Sequence, residues 1–224
     1  MLLVIEQVLD AHGLAQVRAQ IAEDKFVDGR ASAGAQARRA KYNEELASTA
    51  SHAHTLNTKI VAPLHAHARF QAAAFPHKLS GAHIARYRTG MHYGSHTDDP
   101  IMGSVGGRYR ADIAVTVMLS ERNEYDGGDL TIDTAYGAQR VSLQAGSAVL
   151  YPASSVHSVA HETRGERLVA VAWCQSSIRS AERRQLLFDL WNVRESLLHA
   201  LPDAKVSVES ERIYASLVRM WAEL

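Results

Sequence analysis

Residues 148–174 read AVLYPASSVHSVAHETRGERLVAVAWC, and three short runs within them, 148–151, 156–161 and 168–174, are β-branched or alternating in the manner of strands. Pro152 and Arg164-Gly165 punctuate them. The same grammar extends upstream through 84–88, 113–119, 130–133 and 140–143. Turn chemistry separates these runs at Thr89-Gly90, Gly103 with Gly106-Gly107, Asp126-Gly127-Gly128, Gly137 and Ala145-Gly146. Many short strands at close spacing predict an all-β sandwich or barrel. The Gly127-Gly128 pair is expected to serve a hairpin turn.

Outward from this core the period changes. Leu9, Leu14, Val17 and Ile21 recur at helical spacing over 9–22, residues 28–35 read as a loop, and the Ala-rich stretch 38–70 predicts one or two further helices bounded by Pro63 and Pro76. The opening Met-Leu-Leu-Val-Ile reads as a first strand. After Ser177, residues 180–198 carry Leu186, Leu187, Leu190, Trp191 and Leu197 as an apolar helical face, and 206–224 repeat the habit through Ile213, Leu217, Met220 and Trp221, with Pro202 between them. The expected architecture is therefore α+β: a mainly helical segment over 1–77, a β core over 78–177 and a helical segment over 178–224. The C-terminal helices offer an apolar stripe for a homodimer.

At 224 residues and 46% apolar composition the chain can bury roughly 70–75% of its potential surface. Lys plus Arg and Asp plus Glu are 24 each, which leaves no electrostatic footprint for nucleic acid or an anionic membrane. The expected partner is a small molecule or a peptide. Glu6 and Asp10 interrupt the apolar start far short of a membrane span, and the single Cys174 excludes an internal disulfide and fits a reducing compartment, so a cytoplasmic location is expected.

Chemistry concentrates at Tyr93-Gly-Ser-His96-Thr-Asp98-Asp99-Pro100. Residues two apart on an extended segment share a face, so His96 and Asp98 can hold one ion together, whereas Asp99 points away. A third donor is offered by His157 or His161. These lie roughly 13 Å apart along a strand and cannot both serve; His157 is preferred because it follows the apolar run at 149–152. Two imidazoles and a carboxylate with other positions open make the facial triad of non-haem Fe(II) oxygenases. Arg167, opening an otherwise apolar strand, invites a carboxylate in a bidentate fork. The turn at 163–165 is expected to fold its strand back beside that of His157.

His96-x-Asp98, His157 and Arg167 together resemble the Fe(II)/2-oxoglutarate dioxygenases. More closely, residues 85–98 (ARYRTGMHYGSHTD) and 125–130 (YDGGDL) resemble the bacterial PKHD-type hydroxylases, relatives of prolyl and lysyl hydroxylases linked to iron uptake. The resemblance implies a double-stranded β-helix, or jelly-roll, core. It makes His96, Asp98 and His157 the ligands of Fe(2+), with 2-oxoglutarate and O2 as co-substrates and L-ascorbate as reductant. It places the far carboxylate of 2-oxoglutarate on Arg167, with Tyr87 matching a family tyrosine that helps to hold it. One departure is Tyr42, where relatives usually have asparagine. The implied reaction is hydroxylation of a substrate coupled to conversion of 2-oxoglutarate to succinate and CO2.

A non-catalytic iron or 2-oxoglutarate sensor would use the same pocket, and a cupin-like hydrolase or isomerase would hold zinc or manganese. Succinate formation separates both from a dioxygenase. His52, His54, His65 and His67 form two His-Ala-His pairs whose members point apart on a helix, as surface residues do. His92 and Tyr93 either line the pocket mouth or merely pack. Taken alone, Arg167 would be a surface partner of Asp129 or Glu162.

Overall fold

The computed structural model describes residues 1–22, 25–35, 37–47 and 53–224. In chain order the elements are β1 (Leu3–Ile5), α1 (Ala11–Ala22), β2 (Phe26–Asp28), α2 (Ala37–Ala40), β3 (Lys41–Tyr42), β4 (Glu44–Leu46), α3 (Ala53–Ala66), α4 (Ala68–Ala74), β5 (Pro76–Leu79), β6 (His83–Arg88), β7 (His92–His96), β8 (Ile101–Met102), β9 (Tyr109–Arg110), β10 (Ile113–Met118), β11 (Tyr125–Gly127), β12 (Leu130–Thr134), β13 (Gly137–Val141), β14 (Ala148–Pro152), β15 (His157–Val159), β16 (Glu162–Ser176), α5 (Ala181–Ala200) and α6 (Lys205–Trp221).

The strands form a large antiparallel sheet ordered β1-β14-β10-β16-β6-β4-β2, with β5 and β11 also paired to β16, and a smaller one ordered β13-β12-β15-β7-β3. This is the expected jelly-roll core. The alternation of the strands sorts two cores. Ile113, Val115 and Val117 of β10, Leu150 of β14 and Leu168 and Ala170 of β16 pack with Val17, Ile60, Phe70 and Phe188 from the helices. The opposite faces, Ala114 and Met118, Val149 and Tyr151, and Val169, pack with Leu130, Ile132 and Val159 from the small sheet. Burying one such aliphatic or aromatic side chain contributes about 1.5–3 kcal/mol, so the helical layer stabilises the large sheet from the face opposite the small one.

Several expectations give way. Residues 41–46, read as helix, are strands that cross from the small sheet, where Lys41 faces Tyr93, to the large one, where Glu45 faces Ala85. Pairing with β7 and β6 overrides a weak helical preference. Pro63 does not bound a helix but lies inside the last turn of α3, and the break comes at His67, whose Nδ1 caps α4 by accepting from the Arg69 amide at 3.2 Å. Leu186 is exposed, and α5 buries Arg184, Leu187 and Phe188 instead. On α6 only Ser207 and Ser210 are buried. His52 lies outside the described residues, whereas His54 and His65 are exposed as expected.

The expected hairpin at 163–165 is absent. β16 runs unbroken from Glu162 to Ser176, pairing at Gly165 with Tyr125 and at Arg167 with Tyr87. Gly165, at φ +83°, serves close approach, since a Cβ there would collide with the Glu124 carbonyl oxygen. Gly127-Gly128 likewise makes no hairpin, because β11 pairs with β16 while β12 pairs with β13 and β15. His157 and Arg167 therefore belong to facing sheets, not neighbouring strands.

Candidate active site

His96 ends β7 and His157 opens β15, and these residues pair directly across the small sheet. Asp98 follows in the loop after β7, its amide donating to the Ala153 carbonyl at 3.3 Å. One donor atom from each of His96, Asp98 and His157 lies within 4.8 Å of the other two. Each side chain is held by its other end. The Nδ1–H of His96 donates to the Gly94 carbonyl at 2.8 Å and that of His157 to the Ser155 carbonyl at 3.0 Å, which leaves both Nε2 atoms as electron-pair donors. Trp173 Nε1 donates to Asp98 Oδ2 at 2.9 Å, leaving Oδ1, which is 3.7 Å from His157 Nε2.

Burial, aided by His157, lowers the His96 pKa to about 4, so its imidazole is neutral at neutral pH. Burial also raises the Asp98 carboxyl, against the opposing pull of His157 and Trp173. One carboxyl group and two imidazoles, each with a donor atom free to face a common point, fit a divalent first-row metal with open positions. Four closed ligands, the mark of structural zinc, are not assembled here among the described residues.

A cavity of about 620 Å³ opens from this cluster between the sheets. On β16 every second residue, Arg167, Val169, Val171 and Trp173, lines it, as the period of a strand dictates. Arg167 is 2% exposed; its Nη2 reaches only the Met118 sulfur at 3.9 Å, and its Nη1 has no hydrogen-bond partner among the described residues. A buried guanidinium cannot shed its proton and needs an anion. The surface pairing with Asp129 does not occur, since Asp129 meets Arg122 and Arg140. Tyr87 is buried beneath Arg167, whose guanidinium lies 5.4 Å from the ring centroid. Burial pushes its phenol up to about 12 with Arg167 opposing, so it remains a hydrogen-bond donor.

Tyr93 lines the cavity and stacks on His96 with ring centroids 3.6 Å apart. His161 is exposed and stacks on His92 at 4.0 Å, away from the cluster, and Asp99 is exposed. Tyr42 is half exposed and meets the edge of His92 at 6.0 Å. Sequence reasoning missed Trp173, Tyr151, Asn43 and the Lys41–Glu45 ion pair on the cavity wall. The alternation from Arg167 was a signal for Trp173; nothing local marked the others.

Residues 82–175 match the family model described as the 2OG-Fe(II) oxygenase superfamily. The whole chain aligns, at 51% identity over 224 residues, with the full length of a PKHD-type hydroxylase of Thioalkalivibrio sulfidiphilus. A PKHD-type hydroxylase of Polaromonas sp. aligns at 40% identity, again over the full length of both chains. Among solved structures, a prolyl-4-hydroxylase of Pseudomonas putida is similar with a TM-score of 0.54 at 19% identity, covering 78% of this chain and 92% of that one. A prolyl hydroxylase from Trichoplax adhaerens gives 0.56 at 14% identity, covering 83% and 86%. These two likenesses bear on the fold alone.

Proposed function

The chain belongs to the PKHD-type hydroxylases of the 2OG-Fe(II) oxygenase superfamily, and from that premise we propose that His96, Asp98 and His157 hold Fe(II), that Arg167 and Tyr87 hold the far carboxylate of 2-oxoglutarate, and that the enzyme hydroxylates a small molecule or peptide. When bound, iron, 2-oxoglutarate and O2 supply the oxidising power that yields succinate, CO2 and a hydroxylated C–H position. The protein's part is positioning and exclusion of water.

The Gly94 and Ser155 carbonyls aim the two imidazoles, and Trp173 aims Asp98. Arg167 offers a planar fork to a carboxylate, with the protonated Tyr87 hydroxyl as a further donor. Leu130, Val159, Val169 and Val171 give the cavity apolar walls. The ribbon of β8 and β9 contributes Ile101, Met102 and Tyr109 to the rim, which supports a role for residues 99–110 in admitting the substrate. A reductant such as ascorbate is expected to sustain turnover.

The observation that carries this reading is the set of three donor atoms within 4.8 Å, each side chain anchored through its other end. Anaerobic equilibrium dialysis tests it: one Fe(II) per chain is expected, with 2-oxoglutarate retained only alongside metal. Binding of both by Asp98→Ala at wild-type strength would remove Asp98 from the ligand set.

A further inference from the structure

Glu162 opens β16 five residues before Arg167, is 1% exposed, and both its carboxylate oxygens lack a hydrogen-bond partner among the described residues. Its backbone is fixed on both sides: its N–H donates to the Met91 carbonyl at 2.9 Å, and its carbonyl accepts from the Gly90 amide at 2.7 Å. Glu162 and Arg167 flank the same glycine. A Cβ on Gly128, at φ +59°, would overlap Glu162 Oε2 and come to 3.0 Å from Arg167 Cδ. No carboxylate of the described residues reaches ion-pair distance of Arg167, yet the Arg167 charge acts on Glu162, opposing the rise that burial imposes on its pKa. A buried carboxyl group and a buried guanidinium thus approach the same glycine, beyond ion-pair distance of each other, with the Asp126 and Arg164 backbone also lowering the Glu162 pKa.

Such an arrangement has a consequence for any anion that Arg167 receives. With the cavity empty, a nearby carboxylate offsets part of the cost of burying the guanidinium. When a ligand carboxylate arrives, the same negative charge opposes it across a medium of low effective dielectric. We propose that Glu162 is a positioning residue that acts through Arg167 as its standing counter-charge, weakening the grip on the far carboxylate of 2-oxoglutarate and, equally, of the product succinate. This rests on the assignment of Arg167 to that carboxylate. Its effect is selective: a keto acid with no far carboxylate does not feel it. Easier product release is the gain that offsets the weaker co-substrate binding.

Calorimetric titration of Mn(II)-loaded, full-length protein under anaerobic conditions provides the test, with 2-oxoglutarate, succinate and pyruvate as probes. Glu162→Gln, which keeps shape and removes charge, is expected to bind 2-oxoglutarate and succinate at least about fivefold more tightly, with pyruvate unchanged. Unchanged or weaker 2-oxoglutarate binding, or equal tightening for pyruvate, would overturn the inference. Should Glu162→Gln not fold, Glu162→Asp withdraws the charge by one methylene, and a smaller tightening confined to the two dicarboxylates is expected; no tightening would overturn it. Arg167→Ala separates this inference from its premise. If that variant keeps wild-type affinity for 2-oxoglutarate, the assignment of Arg167 falls; if it weakens binding while Glu162→Gln does not tighten it, only the role of Glu162 falls.

Discussion

Trp173→Phe isolates the hydrogen bond from Nε1 to Asp98 Oδ2 at 2.9 Å. Phenylalanine keeps an aromatic ring on the cavity wall, where Trp173 meets His83 edge-on at 5.4 Å, and removes only the donor and part of the ring. A hydrogen bond to a charged group contributes about 1.5–3 kcal/mol. Burial already disfavours the Asp98 carboxylate in the metal-free protein, and the Trp173 hydrogen bond opposes that, so losing the donor costs the orientation of the metal-facing oxygen and makes the carboxyl hold a competing proton more tightly. At about 1.4 kcal/mol per decade, the expected loss of Fe(II) or Mn(II) affinity is about 10–100-fold, the usual range for an outer partner of a metal ligand. Chelator competition under anaerobic conditions measures it, and an unchanged melting temperature would show that packing survived. Affinity within twofold of wild type would refute the idea that Trp173 holds Asp98 for the metal.

Asp98→Ala and His157→Ala are each expected to abolish succinate formation with the far-ultraviolet circular dichroism retained, whereas His161→Ala, stacked on His92 outside the cavity, remains close to wild type. Arg167→Ala is expected to weaken 2-oxoglutarate binding by roughly 2–5 kcal/mol, the cost of truncating one partner of a buried charge pair; an unchanged titration midpoint would place the carboxylate anchor elsewhere. Cys174 is fully buried, with its thiol pushed up to about 12 mainly by burial, so iodoacetamide at pH 8 should label it only after denaturation. The unfolded thiol ionises at about 8.5. Below that pH both states hold the proton and the contribution of Cys174 to stability is whole; it is lost as pH rises from there towards 12, which denaturant titrations at pH 8 and pH 10 would detect.

The site was legible where chemistry and local spacing coincide. His96 and Asp98 sit two apart, His157 follows an apolar run, and Arg167 interrupts an apolar strand, so residue type alone narrows the choice. The partner of Asp98 was hidden, because Trp173 reaches it across two sheets and 75 positions, a relation no local period encodes. Strand pairing failed for a similar reason. Arg164-Gly165 has the chemistry of a turn, yet β11 comes alongside and Gly165 is needed for the close approach. Residues 41–46 lie between Ala-rich stretches and lack a strong period of their own; their β structure is imposed by β7 and β6. The helical period over 180–198 and 206–224 coincides with α5 and α6, but which α5 residues are buried depends on the packing of α4 and α6, and Leu186 turns outward.

Co-substrate turnover by the purified, Fe(II)-reconstituted protein tests the central claim most directly. On admission of air, with 2-oxoglutarate supplied, the account predicts Fe(II)- and O2-dependent formation of succinate in equal amount to the 2-oxoglutarate consumed, slow without a primary substrate, suppressed by chelators and by Zn(II), and absent in Asp98→Ala. Tight, metal-dependent binding of 2-oxoglutarate with no succinate formed, whatever peptide, amino acid or siderophore is added, would contradict it and leave a binding protein in place of an oxygenase.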